Sequence, residues 1–388
     1  MADIIGLDKL YVANTYARNP VQIVKGTGAI AVDVNGKEYI DLGSGIGVNI
    51  FGYSDKEWVS AVTEQLNTIQ HTSNLYYTDP CAKLAEIMCK KTGMKKVFFS
   101  NSGAEANECA IKIARKYASE KKGKDFYNIV TLNNSFHGRT LTTLSATGQE
   151  HFHKLFTPLT DGFIYADSGD INGIENIILN NKVAAVLIEC VQGEGGVNVQ
   201  DPEFVKKLEY VCNQNDVLLI IDEVQTGNGR CGELYAYMHY GIKPDVVTTA
   251  KGLGAGLPIG ACLIGEKAEN ILGFGDHGST FGGNPVTCAG ALNVISRIDD
   301  KLLQSVREKS DFIFSYLAGK SGIESVSGLG LMIGIKTKKP AKEVVLKCLN
   351  LGVMCLTAKD KVRLLPPLNI SIKLLKKALD VIIKVSAE

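Results

Sequence analysis

Apolar runs of strand length alternate with helix-patterned segments from about residue 56 to 280, and this alternation constrains the fold more than any other feature of the chain. "KKVFFSNSG" is followed by "AEANECAIKIARKYASEK", then by "NIVTLNNS", "VAAVLIECVQ", a helix pattern near 203 to 215, and "VLLIIDEV". Continuous apolar strands separated by helices predict an α/β fold, a mostly parallel central sheet flanked on both faces by helices. Ahead of it, residues 23 to 42 alternate apolar and polar residues around Asn35-Gly36, the signal of an antiparallel ribbon. Residues 286 to 388 shift to lysine-rich amphipathic helices with short strand patterns at "LGLMIGIKT" and "KVRLLPPL". At 388 residues the chain exceeds what one core fills. We therefore expect a large domain over 56–285, with segments 1–55 and 286–388 forming a smaller α+β domain from both chain ends.

Composition narrows the function. Hydrophobic residues make up 45%, charged residues 21%, and the formal net charge is +1, which disfavours disorder and gives no chain-wide attraction to nucleic acid or membrane. A small-molecule or protein partner is expected instead. No apolar stretch approaches the roughly 20 residues of a membrane span, and "MADIIGLDKL" is acidic where a signal peptide would be basic. A cytoplasmic location is expected. The ten cysteines are scattered without C-x-x-C spacing and read as small buried hydrophobes in a reducing compartment. His151 and His153 lack nearby residues to complete a zinc site. They read as plain surface, and no metal is expected.

Three segments carry chemistry. "VLLIIDEVQTG" places Asp222 at the carboxyl end of a buried strand, where ligands bind in open α/β sheets, although Walker-B segments and helix caps share that pattern. "FFSNSGAEANECAIKIAR" runs from a strand through Ser102 into a helix whose first amides, Gly103 and Ala104, suit a phosphate; a Ser-x-x-Glu capping box from Ser102 to Glu105 fits equally. In "VVTTAKGLGAGLPIG", Lys251 sits between an apolar run and glycines. A lysine in water is unprotonated about once in 2,500 molecules at pH 7, so a nucleophilic one must be desolvated. A P-loop is ruled out because its glycines precede the lysine. Phosphate cradle, buried acid and desolvated lysine together are the parts that hold pyridoxal 5'-phosphate.

With "SNSGAEANECAIKIAR", "FHGRT", "VQGEGGV", "IDEVQTGNGR", "TTAKGLGAGLPIGA", "HGSTFGGNP" and "RLLPPL" in this order, the chain resembles the class III pyridoxal-phosphate aminotransferases of fold type I over nearly its whole length. "HGRTLTTLSATGQ" and "KLFTPLTDGF" resemble the branch that acts on N-acetylornithine. The resemblance implies that Lys251 carries the cofactor's aldehyde and then shuttles a proton, and that Asp222 pairs with the pyridine nitrogen. It implies that Phe136 stacks on the ring, that Glu189 and Gln225 line its polar edge, and that Ser102, Gly103 and Ala104 take the phosphate. Thr280 would reach the phosphate of a neighbouring subunit, making the active unit a homodimer. For substrates it implies that Arg139 grips a donor carboxylate and Arg363 the α-carboxylate of glutamate or 2-oxoglutarate. Glu194 would neutralise Arg363 when the donor lacks that group, and Tyr16 would touch the donor's α-end.

Position 46 bears on the donor. The resemblance implies a tyrosine there in ornithine enzymes, whereas this chain has Ile46, which offers no hydroxyl to a free α-amino group. The implied reaction is ping-pong transfer of the δ-amino group of N-acetylornithine to 2-oxoglutarate, giving N-acetylglutamate semialdehyde and glutamate in arginine biosynthesis. Ornithine, succinylornithine, N-succinyl-diaminopimelate and 4-aminobutyrate are the alternative donors. In two places the chain departs from the family. Where Gly-His-x-His-Pro is usual it has Gly52-Tyr53-Ser54-Asp55-Lys56, which is expected to change a loop near the dimer interface, and Cys231 replaces a threonine as neutral packing.

Overall fold

The computed structural model describes residues 3–388. A seven-stranded sheet runs in the order Lys96–Ser100, Gly260–Ile264, Val246–Thr249, Leu218–Asp222, Val183–Ile188, Asn128–Leu132, Phe163–Ala166. Gly260–Ile264 is antiparallel to both its neighbours, and the other pairings are parallel. The exception follows from chain length. Only residues 250–259 separate it from Val246–Thr249, fewer than the dozen or so that a parallel crossover needs.

Both faces of this sheet are buried, which is why its strands read as continuous apolar runs. Val186, Ile188, Leu219 and Ile221 join one core with Ile174, Ile178, Val205 and Leu208 from the helices Ile171–Asn180 and Pro202–Gln214. Ala185, Leu187, Leu218 and Ile220 turn the other way, against Ile111, Ala114 and Ala118 of the helix Gly103–Lys121. The period-2 division of one strand between two cores fixes its register from both sides.

The two chain ends share a second sheet. Ile23–Thr27, Ile30–Asp33 and Glu38–Asp41 form an antiparallel ribbon, and Val353–Met354 adds a fourth strand parallel to Glu38–Asp41. Its turn is the expected one at Asn35-Gly36, with Asp33 Oδ1 accepting from the Asn35 and Lys37 amides at 2.9 and 3.0 Å. "LGLMIGIKT" differs from the single strand expected. Gly330, at φ +58°, turns the chain between Ile323–Leu329 and Met332–Thr337, which pair as a hairpin. Met332–Thr337 then pairs with Lys361–Leu364, the strand that carries Arg363. All ten cysteines are free and eight are buried. No described helix is long and apolar enough to cross a membrane.

The antiparallel strand also shapes what lies at the sheet's end. Gly260 lies so close to the turn after Ser100 that a Cβ there would come within 2.2 Å of the Ser102 carbonyl oxygen and 2.6 Å of Ser100 Oγ. Gly260→Ala is expected to destabilise the protein by about 1–3 kcal/mol, the usual range for overpacking. Urea unfolding of the two proteins measures this, and an unchanged midpoint would show that the turn yields freely.

Candidate active site

The carboxyl ends of Lys96–Ser100, Leu218–Asp222 and Val246–Thr249 converge on a cavity of about 650 Å³. Its wall includes Ser102, Gly103, Ala104, Phe136, Asp222 and Lys251, with Tyr16, Arg139, Glu189 and Gln225 further round. Ten of the thirteen residues singled out in the sequence therefore meet in one place.

Asp222 is 3% exposed. Its Oδ2 accepts from Asn107 Nδ2 and from His137 Nδ1, both at 2.8 Å, and its Oδ1 accepts from the Val224 amide at 2.9 Å. Asn107 is itself oriented, since its amide nitrogen also donates to the His137 carbonyl at 2.7 Å and its carbonyl accepts from Thr248 Oγ1 at 2.6 Å. His137, Asn107 and Thr248 are residues that sequence reasoning missed. A signal for Asn107 was present: it is the one polar residue on the buried stripe of the helix Gly103–Lys121. His137 sits inside "FHGRT" and Thr248 inside an apolar run, and neither pattern marks them.

At the cavity's other end the helix Gly103–Lys121 begins. Ser102 Oγ accepts from the Glu105 amide at 3.2 Å, and Glu105 Oε2 accepts from the Asn101 amide at 2.6 Å. Only half of the expected capping box forms, since Glu105 reaches the Asn101 amide and not that of Ser102, and this leaves room for a phosphate cradle: Ser102 and Glu105 close the helix end while Gly103 and Ala104 line the cavity. A helix start of this kind, with free first-turn amides and the positive end of the dipole, suits an anion.

Lys251 follows directly on the strand Val246–Thr249 and Ala250, at φ +43°, a strained conformation for a residue with a side chain. Among the described residues its amine has no hydrogen-bond or ion-pair partner. Burial pushes its ammonium below the ordinary lysine range, while the charges of Glu194 and Asp222 work the other way. Burial also pushes Glu189 up to about 7, against the attraction of His137 and the amides of Phe136 and Gly193. Those amides donate to Glu189 at 2.9 and 3.3 Å.

Arg363 and Glu194 stand behind Gln225 rather than on the cavity wall. Arg363 Nη1 donates to Glu194 Oε1 at 2.5 Å and to Gln225 Oε1 at 3.1 Å, and the guanidinium is 3% exposed. Burial alone would push Glu194 up, but the Arg363 charge and hydrogen bond outweigh it and hold the carboxyl below its usual range. Arg139 is exposed, with its guanidinium carbon 4.6 Å from the Phe152 ring centre and 5.7 Å from that of Phe136. Thr280 is exposed on a separate cavity that also holds His71 and His277. His153 is not plain surface: Nε2 is held between the Leu144 and Thr147 carbonyls, at 3.0 and 2.7 Å, which orders the short helix Glu150–His153.

Residues 11–385 match the Aminotransferase class-III family. The chain belongs to that family. This class-III aminotransferase is 47% identical over 384 residues to the acetylornithine aminotransferase of Haemophilus ducreyi, with 98% of each chain covered. In three dimensions it is similar to the N-acetylornithine aminotransferase of Stenotrophomonas maltophilia, with a TM-score of 0.85 and 34% identity over 99% of this chain and 98% of that one. It is also similar to an ornithine aminotransferase of Toxoplasma gondii described with partial occupancy of PLP at its active site. There the TM-score is 0.94 and the identity 33%, over 99% of this chain and 94% of that one.

Pyridoxal phosphate is the cofactor of class-III aminotransferases, and the donor set of this one fits it. First-turn amides suit the phosphate, and among the described residues the Asp222 carboxylate has no lysine or arginine partner and the Lys251 amine, in a partly desolvated place, is unpaired.

Glu223 is among the buried acids of this class-III enzyme that lie outside the cavity. Glu223 accepts from Thr226 Oγ1 at 2.5 Å and the Tyr237 amide at 2.8 Å, and burial pushes it up to about 7 from an ordinary 4.5. Between those values the folded protein keeps a proton that the unfolded chain has released, so this group's contribution to stability falls as pH rises from about 4.5 to 7. Glu223→Gln has no such proton. We expect it to stabilise the protein more at pH 8 than at pH 5, measured by urea unfolding at both; an equal effect at the two would remove the buried acid from the pH dependence.

Proposed function

We propose that this class-III aminotransferase transfers the δ-amino group of N-acetylornithine to 2-oxoglutarate in arginine biosynthesis, as a cytoplasmic homodimer. The observation that carries the glutamate side is the Arg363–Glu194 pair, a buried cation with one carboxylate partner beside Lys251. When a glutamate or 2-oxoglutarate carboxylate enters, Arg363 binds it with its fork, and Glu194 releases the guanidinium. When the donor lacks that carboxylate, Glu194 keeps Arg363 neutralised. One cavity thereby serves two substrates in turn.

For the donor, the support is the name of the 47% identical Haemophilus ducreyi relative and the apolar Ile46. The Toxoplasma gondii neighbour acts on ornithine but shares only 33% of its residues, and the donor follows the higher identity. Arg139, beside Phe136 on the wall, grips the donor's carboxylate, and Tyr16 meets its α-end. Free thiols fit a reducing cytoplasm. The homodimer is supported by Thr280, exposed on its own cavity where it is free to reach a neighbour's phosphate. The division at 56 and 285 belongs to the same reading, supported by the pairing of Val353–Met354 with Glu38–Asp41.

Pyridoxal phosphate, when bound, supplies an aldehyde for the amino group and a ring that draws charge from the reacting carbon. The chain's residues do the rest. Gly103 and Ala104 amides with Ser102 would bind the phosphate, Phe136 would cover the ring, and Glu189 and Gln225 would hold its polar edge. Asp222, kept in place by Asn107 and His137, would hold a proton on the ring nitrogen. Lys251 Nζ would take the proton from the amine-bearing carbon of the donor and pass it to the carbon of the cofactor's aldehyde, which requires the unprotonated amine that burial favours.

The first test is the visible spectrum of the purified protein with N-acetylornithine, then 2-oxoglutarate, and with ornithine in parallel. We expect a yellow band that bleaches with N-acetylornithine, hardly responds to ornithine, and returns with 2-oxoglutarate. A band that ignores N-acetylornithine would overturn the donor. Lys251→Ala is expected to keep the fold by circular dichroism and lose about 10³-fold in kcat, the scale of a general base; a wild-type rate would overturn its role. Arg363→Ala should raise the KM for 2-oxoglutarate by roughly 10 to 100-fold, as loss of a charged hydrogen-bonded pair does. An unchanged KM would place that carboxylate elsewhere.

A further inference from the structure

Residues 44 to 47, Ser-Gly-Ile-Gly, take four consecutive left-handed conformations, with φ of +48°, +62°, +66° and +75°. Glycine adopts this backbone freely, but a β-branched residue such as Ile46 is strained there and persists only where its surroundings over-determine it. Those surroundings can be traced. Asp41 Oδ1 accepts from the amides of Gly43 and Ser44, at 2.7 and 2.9 Å, at the start of the turn. The Ser44 carbonyl accepts from the Val48 and Asn49 amides, at 2.8 and 2.9 Å, at its end.

The other oxygen of Asp41 accepts from the Tyr53 hydroxyl at 2.7 Å. Asp41 is buried, and no described lysine or arginine pairs with it; beside the two turn amides on Oδ1, the Tyr53 hydroxyl on Oδ2 completes the hold on the carboxylate's rotation. Tyr53 is itself anchored. Its backbone exchanges two hydrogen bonds with Gly28, at 2.8 and 2.9 Å, and its ring lies on Gly26, where a Cβ would come within 2.6 Å of it. Burial pushes the hydroxyl pKa up, and the Asp41 charge adds to that, so the group remains a donor at neutral pH.

The braced turn leads into the site from two sides. The Leu365 amide donates to the Leu42 carbonyl at 2.6 Å and the Leu368 amide to the Ile50 carbonyl at 2.7 Å, which ties the turn to the chain that follows Arg363. Val48 lines the cavity, and Ile50 packs on Gly252, the residue after Lys251. Ile46, two residues before Val48, is 43% exposed, so packing holds it less firmly than a core residue.

We propose that Tyr53, one of the residues by which this chain departs from the family's usual pattern, is a positioning residue for donor selection. Its hydroxyl, through Asp41, holds the 44–47 turn and so fixes Ile46 where it disfavours a free α-amino group. The selectivity part rests on the donor reading above; the brace does not.

Two measurements test it. In the holoenzyme, Tyr53→Phe keeps the ring and removes the hydroxyl. The ratio of kcat/KM for N-acetylornithine to that for ornithine is expected to fall about fivefold, within the range of one hydrogen bond to a charged group, through KM with kcat nearly unchanged. Asp41→Asn keeps an acceptor for the two amides and a polar partner for Tyr53, and should hold the ratio near wild type. A ratio unmoved in Tyr53→Phe, or a loss shared equally by both donors, overturns the selectivity role. Hydrogen exchange of amides 43–49 tests the brace alone: Tyr53→Phe is expected to speed it about fivefold, and unchanged exchange overturns the brace. Should the wild type not prefer N-acetylornithine while exchange still quickens, the donor reading fails and the brace stands.

Discussion

Asp222 ends a central strand with its carboxylate almost wholly removed from water and, among the described residues, no lysine or arginine paired with it. A buried charge left in that state costs several kcal/mol unless hydrogen bonds replace its hydration. Here the replacements come from three different elements: Asn107 on the helix, His137 on the loop after Asn128–Leu132, and the Val224 amide. Thr248, across from Asp222 on the adjacent strand, then orients Asn107. The carboxylate is satisfied only when helix, loop and two strands are all in register, so the site and the fold are specified together.

A second tension surrounds Lys251. Its amine is partly desolvated and its backbone strained, while Glu194 and Asp222 draw it back toward the charged form. Arg363, engaged with Glu194 and Gln225, decides how much of the Glu194 charge reaches the lysine. Binding of a carboxylate at Arg363 would therefore alter the field at Lys251 Nζ without touching it. Strain and uncompensated charge are held here because the sheet beneath, buried on both faces, does not yield.

The legible parts share a physical character. Strand and helix alternation, the Asn35-Gly36 turn, the helix start at Ser102 and the strand-end positions of Asp222 and Lys251 are all local: each depends on periodicity or turn chemistry within a few residues. What escaped was non-local. Asn107, His137 and Thr248 matter because they are next to Asp222, from which they are separated by up to 115 positions in the chain. Glu194 and Arg363, 169 positions apart, were assigned through resemblance and not through any pattern of their own. The antiparallel course of Gly260–Ile264 was implicit in its short connection, but its consequence, the close contact of Gly260 with Ser102, was not.

Tyr53 shows the same limit from the other side. The sequence marked Tyr53, Ser54 and Asp55 as unusual and pointed to a loop. Folding gives two of them tasks: Tyr53 bonds Asp41, and Asp55 caps the helix Lys56–Thr68 while pairing with Arg297 at 2.6 Å. By itself the sequence determined the α/β class, the order of elements, the cofactor chemistry and the family, because these reside in local patterns and in motifs short enough to read. Only the tertiary structure decided which donors satisfy Asp222, that Arg363 is shared between Glu194 and Gln225, and what holds Ile46 in a strained turn. Those depend on distances between residues far apart along the chain, and such distances come into being only when the chain packs.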